Sequence, residues 1–248
     1  MRTIHAIIGV LMAIAVTVSI ADSIDETLRY DAYWMGMRVG EMKLESGRRD
    51  DGAIYRSMLV GGRSLARMFS GSDTTAVSET IDTPQGRCQK FHKRVDDSGF
   101  KQDDTMYLWP ESGIAVWESA SGTSVTSSVP VGSVDVATFF HGLRESAELD
   151  GLQTNLAART VVMDGTSHRI SISTGEVVRV DLPSGAVDAR EYFVESHSST
   201  LFVRNVPKCA RIATNFPVMV EMDVKKGAKT IHFRLKEWTT NSVSALPR

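Results

Sequence analysis

The residues with the chemistry for a catalytic or metal site are few in this 248-residue chain. Beyond residue 21 the histidines are His92, His141, His168, His197 and His232. None stands at a ligand spacing such as H-x₃-H, and the two cysteines, Cys88 and Cys209, form no C-x₂-C pair, so a metal site would have to be assembled by folding alone. His168 and His232 fall on or beside alternating stretches and read as solvated. For nucleophilic catalysis the nearest pattern is Gly62-Arg63-Ser64-Leu65-Ala66. It has Ala where the nucleophile elbow G-x-S-x-G has Gly, and it lacks the buried parallel strand that must precede such an elbow. Ser64 is more simply a helix N-cap. Three acid pairs, Asp50-Asp51, Asp96-Asp97 and Asp103-Asp104, have the groups for acid–base work. Each lies in or near a turn, and neighbours on a strand point to opposite faces, so such a pair does not converge on one substrate. No catalytic residue, metal ligand or cofactor is implied.

The aromatic residues carry more. Trp34, Trp109, Trp117, Trp238, Phe139, Phe140 and Phe233 suit the lining of an apolar cavity or the filling of a core. Phe139, Phe140, Trp34 and Trp117 are the candidate ligand-binding set. Periodicity does not separate a hollow interior from a packed one, and close packing is the ordinary state of protein interiors. Eleven methionines, two of them flanking Gly36, fit an adaptable apolar surface.

The elements that position these side chains are mostly strands. Glu41–Glu45, Ile170–Ser173 and Val178–Leu182 alternate apolar and polar residues. Val218, Val220, Met222 and Val224 share a face, Lys225-Lys226-Gly227-Ala228 supplies a turn, and Ile231, Phe233 and Leu235 resume the apolar face. This is an antiparallel hairpin with one wet side. Turn signals recur at Gly36, Asp51-Gly52, Asp97-Ser98-Gly99, Glu111-Ser112-Gly113, Ser121-Gly122, Asp164-Gly165 and Pro183-Ser184-Gly185. Two segments break the alternation. Over Asp135–Glu148, Val136, Phe139, Phe140 and Leu143 fall at i, i+3, i+4 and i+7, which predicts a helix capped by Asp135 and ended by Asp150-Gly151. A shorter helical stretch is expected over Ser64–Phe69. The predicted class is mainly β: a strongly curved antiparallel sheet or half-barrel with one principal helix on its concave face.

Residues 1–21 give an address. Arg2 precedes an uncharged apolar run from Ala6 to Val18, and Ser19-Ile20-Ala21 places small residues before Asp22. This is the layout of a cleavable secretory signal, and the run is short of the roughly 20 residues that span a bilayer. Cleavage after Ala21 leaves one β-rich domain, 22–248, with a loose tail from about 241. It takes the formal charge from −2 to −3, because Arg2 is the only charged residue lost. A near-neutral chain has no electrostatic basis for gripping nucleic acid or anionic lipid heads. No second apolar run approaches spanning length. An exported chain can keep a disulfide, but Cys88 and Cys209 fit equally well as two small buried residues.

Three motifs carry a family resemblance. The first is Tyr30-Asp31-Ala32-Tyr33-Trp34-Met35-Gly36-Met37-Arg38-Val39-Gly40-Glu41, an aromatic strand, a tight Gly turn and a Gly-Glu strand. The second is Val129-Pro130-Val131 followed by Asp135, Phe139-Phe140 and Arg144. The third is Phe216-Pro217-Val218 entering a strand. In this order they resemble the DUF3108 family of exported bacterial proteins. That resemblance implies a fold like the open, one-sided β-barrels of periplasmic lipoprotein carriers, and with it apolar-ligand binding. It brings no catalytic residues. The sequence therefore reads as a periplasmic, non-enzymatic protein that binds or escorts a lipid or lipidated partner. The alternative is a structural or assembly factor with a packed core, acting through protein contacts. A hydrolase comes third.

Overall fold

The computed structural model describes residues 25–49, 51–62, 72–97, 100–149, 159–163, 165–196, 206–216, 218–226 and 229–241. The predicted leader, the Ser64–Phe69 stretch, Asp50, His197 and the tail beyond 241 lie outside the described residues, as do all side chains from Arg144 to Asp150. The described residues form fifteen strands and one helix. In chain order these are β1 (Glu26–Trp34), β2 (Met37–Arg48), β3 (Ile54–Gly62), β4 (Ser72–Thr83), β5 (Gly86–Asp97), β6 (Phe100–Trp109), β7 (Ile114–Ser119), β8 (Ser124–Ser128) and β9 (Val134–Asp135). Then come α1 (Val136–Leu149), β10 (Arg159–Met163), β11 (Thr166–Leu182), β12 (Gly185–Ser196), β13 (Val206–Ala213), β14 (Met219–Lys226) and β15 (Lys229–Thr240).

All fifteen strands belong to one sheet, ordered β8-β7-β6-β5-β4-β3-β2-β1-β15-β14-β13-β12-β11-β10-β9. Two meanders are thus joined where β1 pairs with β15, with Leu28 opposite Trp238 and Ala32 opposite Phe233. Every pairing is antiparallel except the short β9–β10 contact. Among the described residues the hydrogen-bonded order does not close. Its two edges, β8 and β9, are nevertheless joined by five residues, 129–133. Laid flat, fifteen strands at ~4.8 Å spacing would hold the edges about 67 Å apart. The link reaches at most about 23 Å, six Cα steps of 3.8 Å. The sheet therefore bends back on itself. Gly165, in the β10–β11 turn, confirms the approach: a Cβ there would lie 3.4 Å from Cβ of Trp117 on β7. At the other end of β7, the Val129 amide donates to the Gly113 carbonyl at 2.8 Å. Gly113 has φ +66°, and a Cβ would stand 2.5 Å from the Val129 oxygen, so only glycine fits beneath the link.

Alternation decides which face is apolar. Leu28, Tyr30 and Ala32 of β1, Met42 and Leu44 of β2, and Phe233 and Leu235 of β15 are buried and register with one another. They belong to a single apolar cluster that runs through both meanders and includes Phe139, Phe140 and Leu143 of α1. Tyr30 keeps its polar end satisfied there by donating to the Met219 carbonyl at 2.8 Å. The predicted closing hairpin is β14–β15, with Met222 opposite Phe233 and Val224 opposite Ile231.

The first hairpin turn is less orthodox. Trp34 pairs with Met37, leaving the two-residue loop Met35-Gly36 with φ of 50° and 76°. That is a type I′ geometry, which favours Asn-Gly, because a residue with a Cβ at positive φ is strained. Met35→Asn should therefore stabilise the protein by about 0.5–1 kcal/mol. A lowered thermal midpoint would mean that the Met35 side chain makes contacts worth more than the strain.

Candidate functional site

Helix α1 is the only helix among the described residues, and it organises the interior. Its predicted stripe is present, but burial is not confined to it. Val136, Ala137, Phe139, Phe140, His141 and Leu143 are all buried, which leaves only Thr138 half-exposed among the first side chains. Over these first two turns the helix is enclosed on all sides, as in a core rather than on a surface. Phe139 is 1% exposed, and its ring meets that of Phe140 edge-on with centroids 5.8 Å apart.

Asp135 starts the helix as expected. One carboxylate oxygen accepts the Thr138 amide at 2.9 Å, the N-cap bond. The other oxygen accepts the Thr138 hydroxyl at 2.8 Å and the buried Ser78 hydroxyl of β4 at 2.7 Å. The cap is thus also a clamp between α1 and the far meander. One turn on, Nε2–H of buried His141 donates to the Ser57 carbonyl of β3 at 3.2 Å. These contacts tie α1 to β3 and β4, while the chain enters it from β9 at the opposite edge.

The four candidate ligand residues do not share one place. Phe139 and Phe140 are in the apolar cluster, and Trp117 packs against it at the point where β7 meets the β10–β11 turn. Trp34 stands at the β1–β2 tip, outside that cluster. Its neighbours Met35 and Met37 are 78% and 58% exposed.

The polar residues sort by strand parity. Asp103 faces out and meets His92 at 2.6 Å, while Asp104 is buried and accepts from Gln102, so the pair points to opposite faces. Asp51 accepts the Ala53 amide at 2.8 Å, a turn role. His232 is half-exposed and meets Asp223 at 2.7 Å. His168 corrects the sequence reading: it is buried, because two-residue alternation on β11 puts it on the face of Ile170 and Ile172. Among the described residues, no group of three or more His, Cys, Asp or Glu is placed to hold a metal ion.

Sequence reasoning missed Arg211. It lies on the polar face of β13 and reaches three acids from two neighbouring strands: Glu191 at 2.9 Å, Glu221 at 3.1 Å and Asp223 at 3.4 Å. Arg234 of β15 adds a second contact to Glu221 at 2.8 Å. The three acids hold the Arg211 guanidinium in its charged form more firmly than usual, against the cost of its partial burial. The network laces β12 to β15 across the polar side.

Cys88 and Cys209 are both free and buried. They lie on β5 and β13, seven strand positions apart in the sheet. Burial pushes both thiols up to about 11. Denatured, non-reduced protein should therefore titrate two thiols per chain with a disulfide reagent, while the native protein reacts slowly. The alkylation rate of native protein should keep climbing above pH 9 instead of levelling, since these thiols ionise near 11. The unfolded chain loses those protons near 9, so this contribution to stability is complete below pH 9 and fades as pH rises toward 11. Recovery of no thiol from denatured protein would contradict the free state.

No family model and no curated protein matches the chain. Among solved structures, it resembles a crystal structure described as a beta-barrel-like protein of a domain of unknown function, DUF1849, from Brucella abortus. The likeness has a TM-score of 0.60 at 11% identity and covers 89% of this chain and 99% of that one. At that identity the likeness is one of fold: a β-rich, barrel-like architecture.

Proposed function

We propose that this is an exported, non-enzymatic protein of the bacterial envelope that binds or escorts an apolar ligand, such as a lipid or a lipidated partner. In this reading residues 1–21 are removed on export to the periplasm, as their charge and apolar run suggest. The sheet acts as a half-barrel with α1 on its concave side, and Phe139, Phe140 and Trp117 are the surfaces an acyl chain would meet. The observation that carries the proposal is the placing of an aromatic-bearing helix between the two meanders of a sheet whose edges approach without hydrogen-bonding closed. Such a seam can part while every ladder stays intact. The DUF3108 resemblance points the same way through its carrier-like fold. A second reading, an assembly factor with a permanently packed interior, draws on the completeness of burial around the first two turns of α1.

Titration of a fluorescent fatty acyl probe into folded, delipidated protein separates the two. Micromolar saturable binding is the expected result, because burying a few hundred Å² of apolar ligand at ~25 cal/mol per Å² leaves that affinity after association costs. Trp117→Ser, at the seam, should weaken it. Absence of saturable binding, with the fold verified by circular dichroism, would favour the packed assembly factor.

A further inference from the structure

Two polar atoms on the apolar face of the sheet are buried and without a hydrogen bond among the described residues: Oε1 of Gln89 and Nε1 of Trp117. Gln89 of β5 is two residues from buried Phe91, so it shares that face, and it stands opposite Leu108 of β6. Trp117 of β7 stands opposite Met106 of β6 and packs against the apolar cluster. Asp31, Arg38 and Arg49 also hold a buried atom without a hydrogen bond, but each of those side chains is already in an ion pair. Gln89 and Trp117 are neutral, so no ion pair offsets the loss. Burying an amide oxygen or an indole N–H unpaired is costly, and native interiors seldom keep such a group without an occupant.

The two atoms are complementary to one kind of molecule. Trp117 only donates, and the Gln89 oxygen only accepts. β5 and β7 are two strands apart at ~4.8 Å each, and the two positions are offset by two residues at ~3.4 Å each, so their backbones are about 12 Å apart on a diagonal over Met106 and Leu108. Each side chain is long enough to cover several ångströms of that diagonal, which leaves the span of a small head group. An acyl chain running on from there has Phe139 and Phe140 within the same apolar cluster.

We infer that the interior ligand is a neutral acyl lipid with a hydroxylated head, of the monoacylglycerol type, with one head oxygen accepting from Nε1–H of Trp117 and one head hydroxyl donating to Oε1 of Gln89. The inference rests on the acyl-ligand reading above and names the head group for that site. A fatty acid anion is disfavoured, because a carboxylate only accepts and would set acceptor against acceptor at Gln89. A simple fatty ester meets Trp117 alone.

Displacement of the fluorescent fatty acyl probe from the delipidated full chain tests this with three competitors that share one chain: monooleoylglycerol, methyl oleate and oleate. Monooleoylglycerol should displace the probe at about tenfold lower concentration than the other two, the worth of one net hydrogen bond. Gln89→Met should erase its advantage over methyl oleate. Trp117→Phe should weaken both esters alike and leave their ratio unchanged. Gln89→Met should also leave the thermal midpoint of the delipidated protein no lower, because the Gln89 oxygen has no partner among the described residues. A midpoint lowered by several degrees would show that the amide is already satisfied inside the fold, and would overturn the inference. Equal displacement by all three competitors, tightest displacement by oleate, or a monooleoylglycerol preference that survives Gln89→Met would each overturn the head-group assignment while acyl binding stands. No saturable binding of the probe would overturn both.

Discussion

Phe139→Ala is expected to lower the unfolding free energy by about 3–5 kcal/mol, enough to remove a large part of the stability of an ordinary domain. The ring is almost wholly enclosed and touches Phe140 edge-on within the cluster that joins both meanders. Truncation strips the apolar contact and leaves a cavity that sheet and helix are poorly placed to fill, because α1 is held at its start by Asp135 and one turn later by His141. Phe140→Ala should cost nearly as much, at the lower end of the same range. Chemical denaturation with the slope monitored is the appropriate measurement. A loss of unfolding free energy below about 1 kcal/mol with unchanged slope would mean that the interior around α1 is already loose, which speaks for a hollow, ligand-ready state.

The second large effect is expected at Asp135. Replacement by Ala removes the N-cap, worth about 0.5–2 kcal/mol. It also takes from the buried Ser78 hydroxyl its nearer acceptor, leaving the Thr138 hydroxyl at 3.3 Å, a further cost of about 1–3 kcal/mol. The expected total is about 1.5–5 kcal/mol. Asp135→Asn should recover most of that loss. Its amide oxygen caps about as well, and its NH₂ can donate to the Ser78 and Thr138 hydroxyls, which can turn to accept. Ser78→Ala should reproduce only part of the Asp135→Ala loss. Equal losses for Asp135→Asn and Asp135→Ala would show that the carboxylate charge itself is required at the start of α1.

These two residues show what was legible in the sequence. The helix could be read because Val136, Phe139, Phe140 and Leu143 follow its period, and its cap because Asp is a short acceptor at the right place. What the stripe did not reveal is that the opposite side of the first two turns of α1 is covered too. Ala137 and His141 fill that side, and neither a small residue nor a polar one registers as apolar periodicity. The β14–β15 hairpin was legible for the same local reason, the alternation on either side of one turn. His168 was misjudged as solvated, although its parity with Ile170 and Ile172 was available in the sequence. Arg211 left no local signal, since its acids come from strands β12 and β14 and converge only through the pairing order. The junction of β1 with β15 and the approach of the two sheet edges are likewise products of long-range pairing. The five-residue link from β8 to β9 is what makes that approach unavoidable.

The most direct test of the central proposal is mass spectrometry of the organic extract from protein purified natively, without detergent, from the cell envelope. Apolar-ligand binding predicts an acyl-chain lipid recovered in near-stoichiometric amount, in a profile distinct from the bulk membrane. It also predicts that Trp117→Ser protein of native fold loses that lipid. Traces matching the bulk membrane profile, equal in wild type and variant, would contradict it.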